Sequence, residues 1–599
     1  MYNDNMKTKW NLDLLYKSPQ DPKIEDDIER SKKLVSSFCK KWKTHEKYFK
    51  EPKVLKEALD DYENLHRQNA FCDKPMYYLG LKHALNQSDI EIKGKLNKVR
   101  DIAVKLSNDV QFFELKISKI DSKKYKTFTN SPYLKEYKHH LEQLFLSSKY
   151  LLSEKEENVF SLTSKPSFSN WANMLEELLS KQELKIMDEK GNNKKISYNE
   201  VFKYLDSKNK KVRDYAAKEF NKVNERYSEI AEFELNSILE SKKINDEYRG
   251  LSRPDLGRHI SDDIDSEVVD TLLEVVTNNF EVSKKYYKLK TDLLGQKTLG
   301  YHERNVPLGE IDSDYSYKDS IELVSNTFKN IDPLFADTIK KFTNNGQYDV
   351  FPKVKKSGGA FCTSSGNTLP TFILLNHKSK LNDVLTIAHE SGHGIHSEMS
   401  KIQNSLNCGY PTSLAEVAST FFEDFVLEEI LKEANEELLF TILAQKLNSD
   451  ISSIFRQVAF YNFEKELHKD FRKKGYLSKE YISELFIKHM SSYLGDSVKK
   501  DEGMKSGWIY WSHLRMFFYV YSYASGLLIS KGLQSLVKED KKNVELVKQF
   551  LKSGSTKSPK DLFKGMGIDI TKKDIWERGI ESIKKKLDGF ERTIETTKS

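Results

Sequence analysis

At 599 residues the chain is too long for one compact core, so two or more packed lobes are expected. A composition of 38% hydrophobic, 12% aromatic and 31% charged residues is that of a soluble globular protein, and only 13 prolines and 26 glycines favour long helices. The formal charge of +7 is small, and the lysine groups, such as Lys208-Asn209-Lys210-Lys211 and Lys584-Lys585-Lys586, are short, which argues against a nucleic-acid partner.

The opening Met1-Tyr2-Asn3-Asp4-Asn5 is polar and acidic, unlike a secretory signal. Apolar residues recur at helical spacing through residues 1–115, for example from Ile24 to Lys43 and from Lys53 to Gln68. Helical patterns continue from Ser131 to Leu179, with a break at Pro166. Asp188-Glu189-Lys190-Gly191-Asn192-Asn193 is turn chemistry between short β-capable runs, which predicts a hairpin. Ser197-Tyr198-Asn199-Glu200 then forms a capping box, and a long amphipathic helix is expected from Lys210 to Tyr248. These features divide the chain into an N-terminal helical region (1–115), a helical domain with a hairpin (116–200) and a third domain (201–599).

Residues 350–376 break the helical texture. Ser357-Gly358-Gly359-Ala360-Phe361-Cys362-Thr363, then Ser364-Ser365-Gly366-Asn367, then Pro370 to Leu375 read as strand, turn and strand: a small β-sheet. The four cysteines, Cys39, Cys72, Cys362 and Cys408, contain no C-x-x-C pair and suit a reduced, cytoplasmic protein. Trp508 to Ile529 is the most apolar stretch. It contains His513, Arg515 and several serines, costly in lipid, so a buried core helix is expected rather than a membrane span.

His389-Glu390-Ser391-Gly392-His393 matches H-E-x-x-H. Histidines at i and i+4 project from one helix face, where both imidazoles reach one tetrahedral zinc, and Glu390 beside them can accept a proton from water. With 14 histidines in the chain, a chance match is expected on the order of a few hundredths of a time. Asn382 or Asp383 can cap this helix. Gly392 and Gly394 are unfavourable inside it and fit close approach by another backbone. A third ligand is required. Glu416 is the candidate, although Ser413 and Glu416 also form a capping-box pattern. Glu423, two turns on, is the rival ligand or an outer partner. Further along, His513, Tyr519, Tyr521 and Tyr523 are either oxyanion donors or members of an aromatic core.

Taken together, several segments resemble the oligoendopeptidase F branch of the thimet oligopeptidase-like zinc peptidases. They are Trp10 to Tyr16, Tyr301 to Leu308, Ser357 to Cys362, Leu381 to Glu390, Leu414 to Ser419 and Phe518 to Gly526. The resemblance implies a mainly α fold, with two helical lobes around a deep channel and a small β-sheet beside the zinc site. It implies one zinc per chain on His389, His393 and Glu416, with Glu390 as general base and His513, Tyr519 and Tyr523 as carbonyl or oxyanion donors. Gly359, Ala360 and Phe361 become the candidate substrate-binding residues, a peptide pairing with an edge strand near Ala360 or Phe372. The expected activity is endopeptidase cleavage of short unstructured oligopeptides, without nucleic-acid or membrane partners. A related zinc carboxypeptidase and an inactive peptide-binding protein are the alternatives.

Overall fold

Leu, Lys and Glu at helical spacing become helices along most of the chain, so the fold is mainly α. The computed structural model describes residues 6–309 and 314–598. Helices Lys23–Trp42 and Pro52–Arg67 begin and end one residue from the expected bounds. The chain forms two compact units. The first comprises Met1–Lys149, Asp312–Glu433 and Leu533–Ile568; the second comprises Tyr150–Ile311, Ala434–Gly532 and Asp569–Ser599.

In the first unit the amino-terminal helices bury Phe38, Trp42, Leu55, Leu59 and Phe113 in a core that extends to Phe372 and Leu374. Trp10 joins that core to a three-stranded sheet: its indole N–H donates to the carbonyls of Ile373 (2.9 Å) and Gln347 (3.1 Å). Phe372–Leu374 is the central strand, parallel to Tyr348–Asp349 and antiparallel to Phe361–Thr363. Phe372, Ile373 and Leu374 are all buried, as suits a strand paired on both sides. Phe372 is therefore not available as an edge for a peptide; of the two outer strands, Tyr348–Asp349 is buried and Phe361–Thr363 is half-buried. Sequence alternation could not say which strand was central, because the third strand is only two residues long.

The outer edge of Phe361–Thr363 has a defined polarity. The Ile373 N–H donates to Gln347, away from Cys362, so Cys362 and Ile373 are a non-hydrogen-bonded pair. The N–H of Cys362 consequently faces the outer side.

In the second unit the expected hairpin is present, with Glu183–Met187 antiparallel to Asn193–Ser197, and the Ser197–Glu200 capping box opens the next helical turns. Pro166 does not stop its helix; the chain passes through a π-helical turn, Lys165–Ser169, into Asn170–Ser180. The helix expected from Lys210 to Tyr248 is two helices, Lys210–Arg226 and Ser228–Tyr248. The break is at Tyr227 (φ −98°, ψ 5°), where the Ser228 hydroxyl bonds back to the Glu225 carbonyl. All four cysteines are free, and no helix of the described residues is long and apolar enough to cross a membrane.

Candidate metal site and active-site residues

In the first unit, Leu381–Ser400 carries the two histidines. Its first turn is held by the Asp383 carboxylate, which accepts the N–H groups of Lys378 (2.7 Å) and Lys380 (2.9 Å); Asp383 thus acts from inside the helix, not at the cap position. The glycines have distinct reasons. A Cβ on Gly392 would lie 2.8 Å from the Ser419 Cα, and one on Gly394 would lie 2.7 Å from the Phe342 ring. The missing side chain at 392 lets helix Thr412–Lys432 pack directly on the motif.

That approach converges three donors. The Glu416 Oε2 lies 3.5 Å from the His389 Nε2 and 3.8 Å from the His393 Nε2. Ligand atoms about 2.1 Å from a tetrahedral zinc stand roughly 3.4 Å apart, so two imidazoles and one carboxylate fit this ion closely. Ser413 lies inside its helix, behind Pro411 at the cap position, so it does not form the capping box that its sequence allowed. Glu423 accepts a hydrogen bond from the His389 Nδ1 (3.0 Å), fixing the tautomer that turns Nε2 toward Glu416.

The electrostatics reflect this crowding. Burial opposes a charge on His389, but the carboxylates of Glu423, Glu416 and Glu390 outweigh it and raise its pKa. Burial, reinforced by His389, lowers His393 to about 4. Burial pushes Glu390 up to about 7, assisted by Glu416 and opposed by His389 and the Cys362 N–H, which donates to its carboxylate. Glu390 is thus tied to the outer strand edge. Sequence reading missed His396, one turn beyond His393. Its ring stacks on Tyr410 at 3.7 Å and bridges the motif helix to the loop before Glu416.

A second grouping of potential ligands, Asp214, His302 and Glu303, differs in kind. Lys210 already pairs with Asp214 and Glu303, and Arg213 pairs with Glu303 at 2.7 Å, so protein cations occupy those oxygens.

In the second unit, the stretch from Trp508 to Ile529 is not one core helix. Gly507–Tyr510 and a 3₁₀ turn, Ser512–Arg515, precede a helix that starts only at Tyr521. Phe517 and Phe518 between them have φ values of 43° and 57°. Such left-handed backbone costs roughly 1–2 kcal/mol per residue, and no glycine signals it. The turn gathers the candidate donors: the His513 Nε2 is 3.1 Å from the Tyr523 hydroxyl, and the Tyr519 ring centroid lies 5.9 Å from that of His513. Tyr521 turns the other way, fully buried, its hydroxyl donating to Asp262 (2.9 Å). Burial, with Arg456 nearby, lowers the pKa of His513. Arg515, costly in lipid, here pairs with the buried Glu234 at 2.7 Å.

A helical fold with a His–Glu–x–x–His helix and a glutamate on a second helix defines a metallopeptidase class, and sequence comparison gives the family. The model of peptidase family M3 matches residues 203–582, and that of oligopeptidase F matches residues 116–184. The chain belongs to peptidase family M3, in its oligopeptidase F branch, and is a metalloendopeptidase. It is 28% identical to the oligoendopeptidase F homolog of Borreliella burgdorferi over 99% of both chains. It is 26% identical to oligopeptidase PepF of Bacillus subtilis, over 98% of this chain and 87% of that one. Among solved structures, a chain from Chlamydophila abortus matches with a TM-score of 0.87 at 21% identity, covering 98% of both chains. Oligoendopeptidase-F from Enterococcus faecium matches with a TM-score of 0.70 at 20% identity, over 96% of this chain and 98% of that one.

Proposed function

We propose that this metalloendopeptidase is a zinc oligoendopeptidase that cleaves internal bonds of short, unstructured peptides in the cytoplasm. The observation that carries the reading is the convergence of His389, His393 and Glu416, whose donor atoms all lie within 4.8 Å of one another. These three side chains would hold one zinc, which when bound supplies Lewis acidity at the scissile carbonyl. Glu423 orients His389 from the far side.

The remaining roles follow from this chain's own groups. The peptide backbone pairs with the outer edge at Ala360, which alternates with the inward-bonded Phe361, and Gly359 and Phe361 flank that position. Glu390 takes the proton from the attacking water and delivers it to the leaving amine. The N–H of Cys362 holds that carboxylate toward the strand edge. His513, neutral because burial disfavours its charge, donates with Tyr523 and Tyr519 to the carbonyl oxygen as negative charge develops there. A deep channel would admit only extended chain, so peptides rather than folded proteins are the substrates.

Mass spectrometry of products from a mixed-length peptide library, run beside zinc analysis of wild type and His393→Ala, tests the reading. Internal cleavage, one zinc per wild-type chain and loss of zinc in the variant are expected. Release of only one or two carboxy-terminal residues would make it a carboxypeptidase, and undiminished zinc in His393→Ala would overturn the ligand set.

A further inference from the structure

The second unit contains an arginine whose contacts converge on the turn beneath the His513 group. Phe517 and Phe518 are both left-handed, a conformation that a Cβ disfavours. Neither residue is glycine or asparagine, so the surrounding structure must hold the turn. Arg258, from the short helix Leu256–Ser261, is the main clasp. Its Nη2 donates to the Met516 carbonyl at 2.6 Å and its Nε to the Phe517 carbonyl at 3.2 Å. The same guanidinium lies 5.7 Å from the centre of the Tyr519 ring. Its Nη1 is 3.5 Å from Asp262, which receives the Tyr521 hydroxyl. From the other side, the Glu464 Oε1 accepts the Phe518 N–H at 3.0 Å, and the His468 ring packs against both phenylalanines.

We propose that Arg258 is a positioning residue for catalysis: by clasping the 516–517 carbonyls it sets the left-handed turn that brings His513 to Tyr523. This role rests on the reading of His513 as a transition-state donor. A planar fork can hold two successive carbonyls at once, whereas an ammonium is a single point charge on a flexible stem. The Arg258 donors go to the Met516 and Phe517 carbonyls and to Asp262, so its proposed action is through geometry. Its loss should therefore appear in turnover rather than in ground-state binding.

The test uses the full-length zinc-loaded enzyme and one internally quenched peptide. Wild type, Arg258→Ala, Arg258→Lys, His513→Ala and the Arg258→Ala/His513→Ala double variant are compared in kcat, KM, zinc content and Tm. Arg258→Ala should lower kcat on the order of 10- to 100-fold with KM within about threefold of wild type. Zinc content should stay at one per chain, and millimolar guanidinium chloride should restore part of the lost rate. Arg258→Lys should be impaired as well, and it carries the comparison if the alanine variant does not fold. In the His513→Ala background, Arg258→Ala should cost less than about threefold more, because the group it positions is already gone. Independent, additive losses would overturn the proposal, as would activity that falls only with the folded fraction. Near-normal kcat in His513→Ala would instead remove the donor reading of His513, and with it any catalytic role for Arg258.

Discussion

Glu390 is 8% exposed, and its carboxylate has one backbone partner, the Cys362 N–H. An amide of the same size keeps that acceptor but cannot take a proton from water. Glu390→Gln should therefore retain fold and zinc while kcat falls on the order of 10²- to 10⁴-fold. Zinc analysis and steady-state kinetics on one preparation check this, and activity within about tenfold of wild type would remove Glu390 as the base. Glu423 holds the outer nitrogen of His389, so Glu423→Ala should weaken zinc binding by about 10- to 100-fold in a chelator competition, without abolishing it. Gly392 reverses a common rule. In an exposed helix Gly→Ala stabilises by about 1 kcal/mol, but here the new Cβ meets Ser419 backbone at 2.8 Å. Gly392→Ala should lower stability by roughly 1–3 kcal/mol, read as a lower Tm.

At the scale of elements, the Phe517–Phe518 turn is held by a carboxylate far from its ordinary state. Burial pushes Glu464 up to about 8, assisted by Asp255 and opposed by the Phe518 N–H and Arg258. A carboxyl whose folded pKa is raised stabilises most below its unfolded value, near 4.5, and that contribution is lost as pH climbs through about 8. Glu464→Gln does not titrate, so it should remove this part of the pH dependence. Tm measured from pH 5 to 9 should fall more steeply for wild type than for the variant; parallel curves would show that Glu464 is not the titrating group. The same turn explains why Trp508–Ile529 reads as one core helix. Its aromatic residues satisfy helical spacing, but the clasp that breaks the helix comes from Arg258 and Glu464, 259 and 54 residues from their partners. No local pattern carries that information.

For the whole molecule, the proposed function sets a substrate size: a peptide that adds as an extended strand to a sheet edge must be flexible. Flexible peptides of roughly 5–20 residues should be cut, while a stably folded domain should survive an equal exposure, as followed by gel and mass spectrometry. Rapid digestion of the folded domain would contradict the size limit. Periodicity alone determined the mainly helical texture, turn chemistry determined the hairpin, and i, i+4 spacing determined that His389 and His393 share a helix face. These follow from rules that act within a few residues. Tertiary structure decided the rest: Glu416 against both Nε2 atoms and Glu423 on the Nδ1, Phe372 central instead of at the edge, and the glycine at 392 as a helix contact. Each of those outcomes depends on distances between segments remote in the chain. The His389–Glu423 bond spans 34 residues, and Gly392 meets Ser419 across the packed faces of two helices, so their geometry exists only once those two helices have packed.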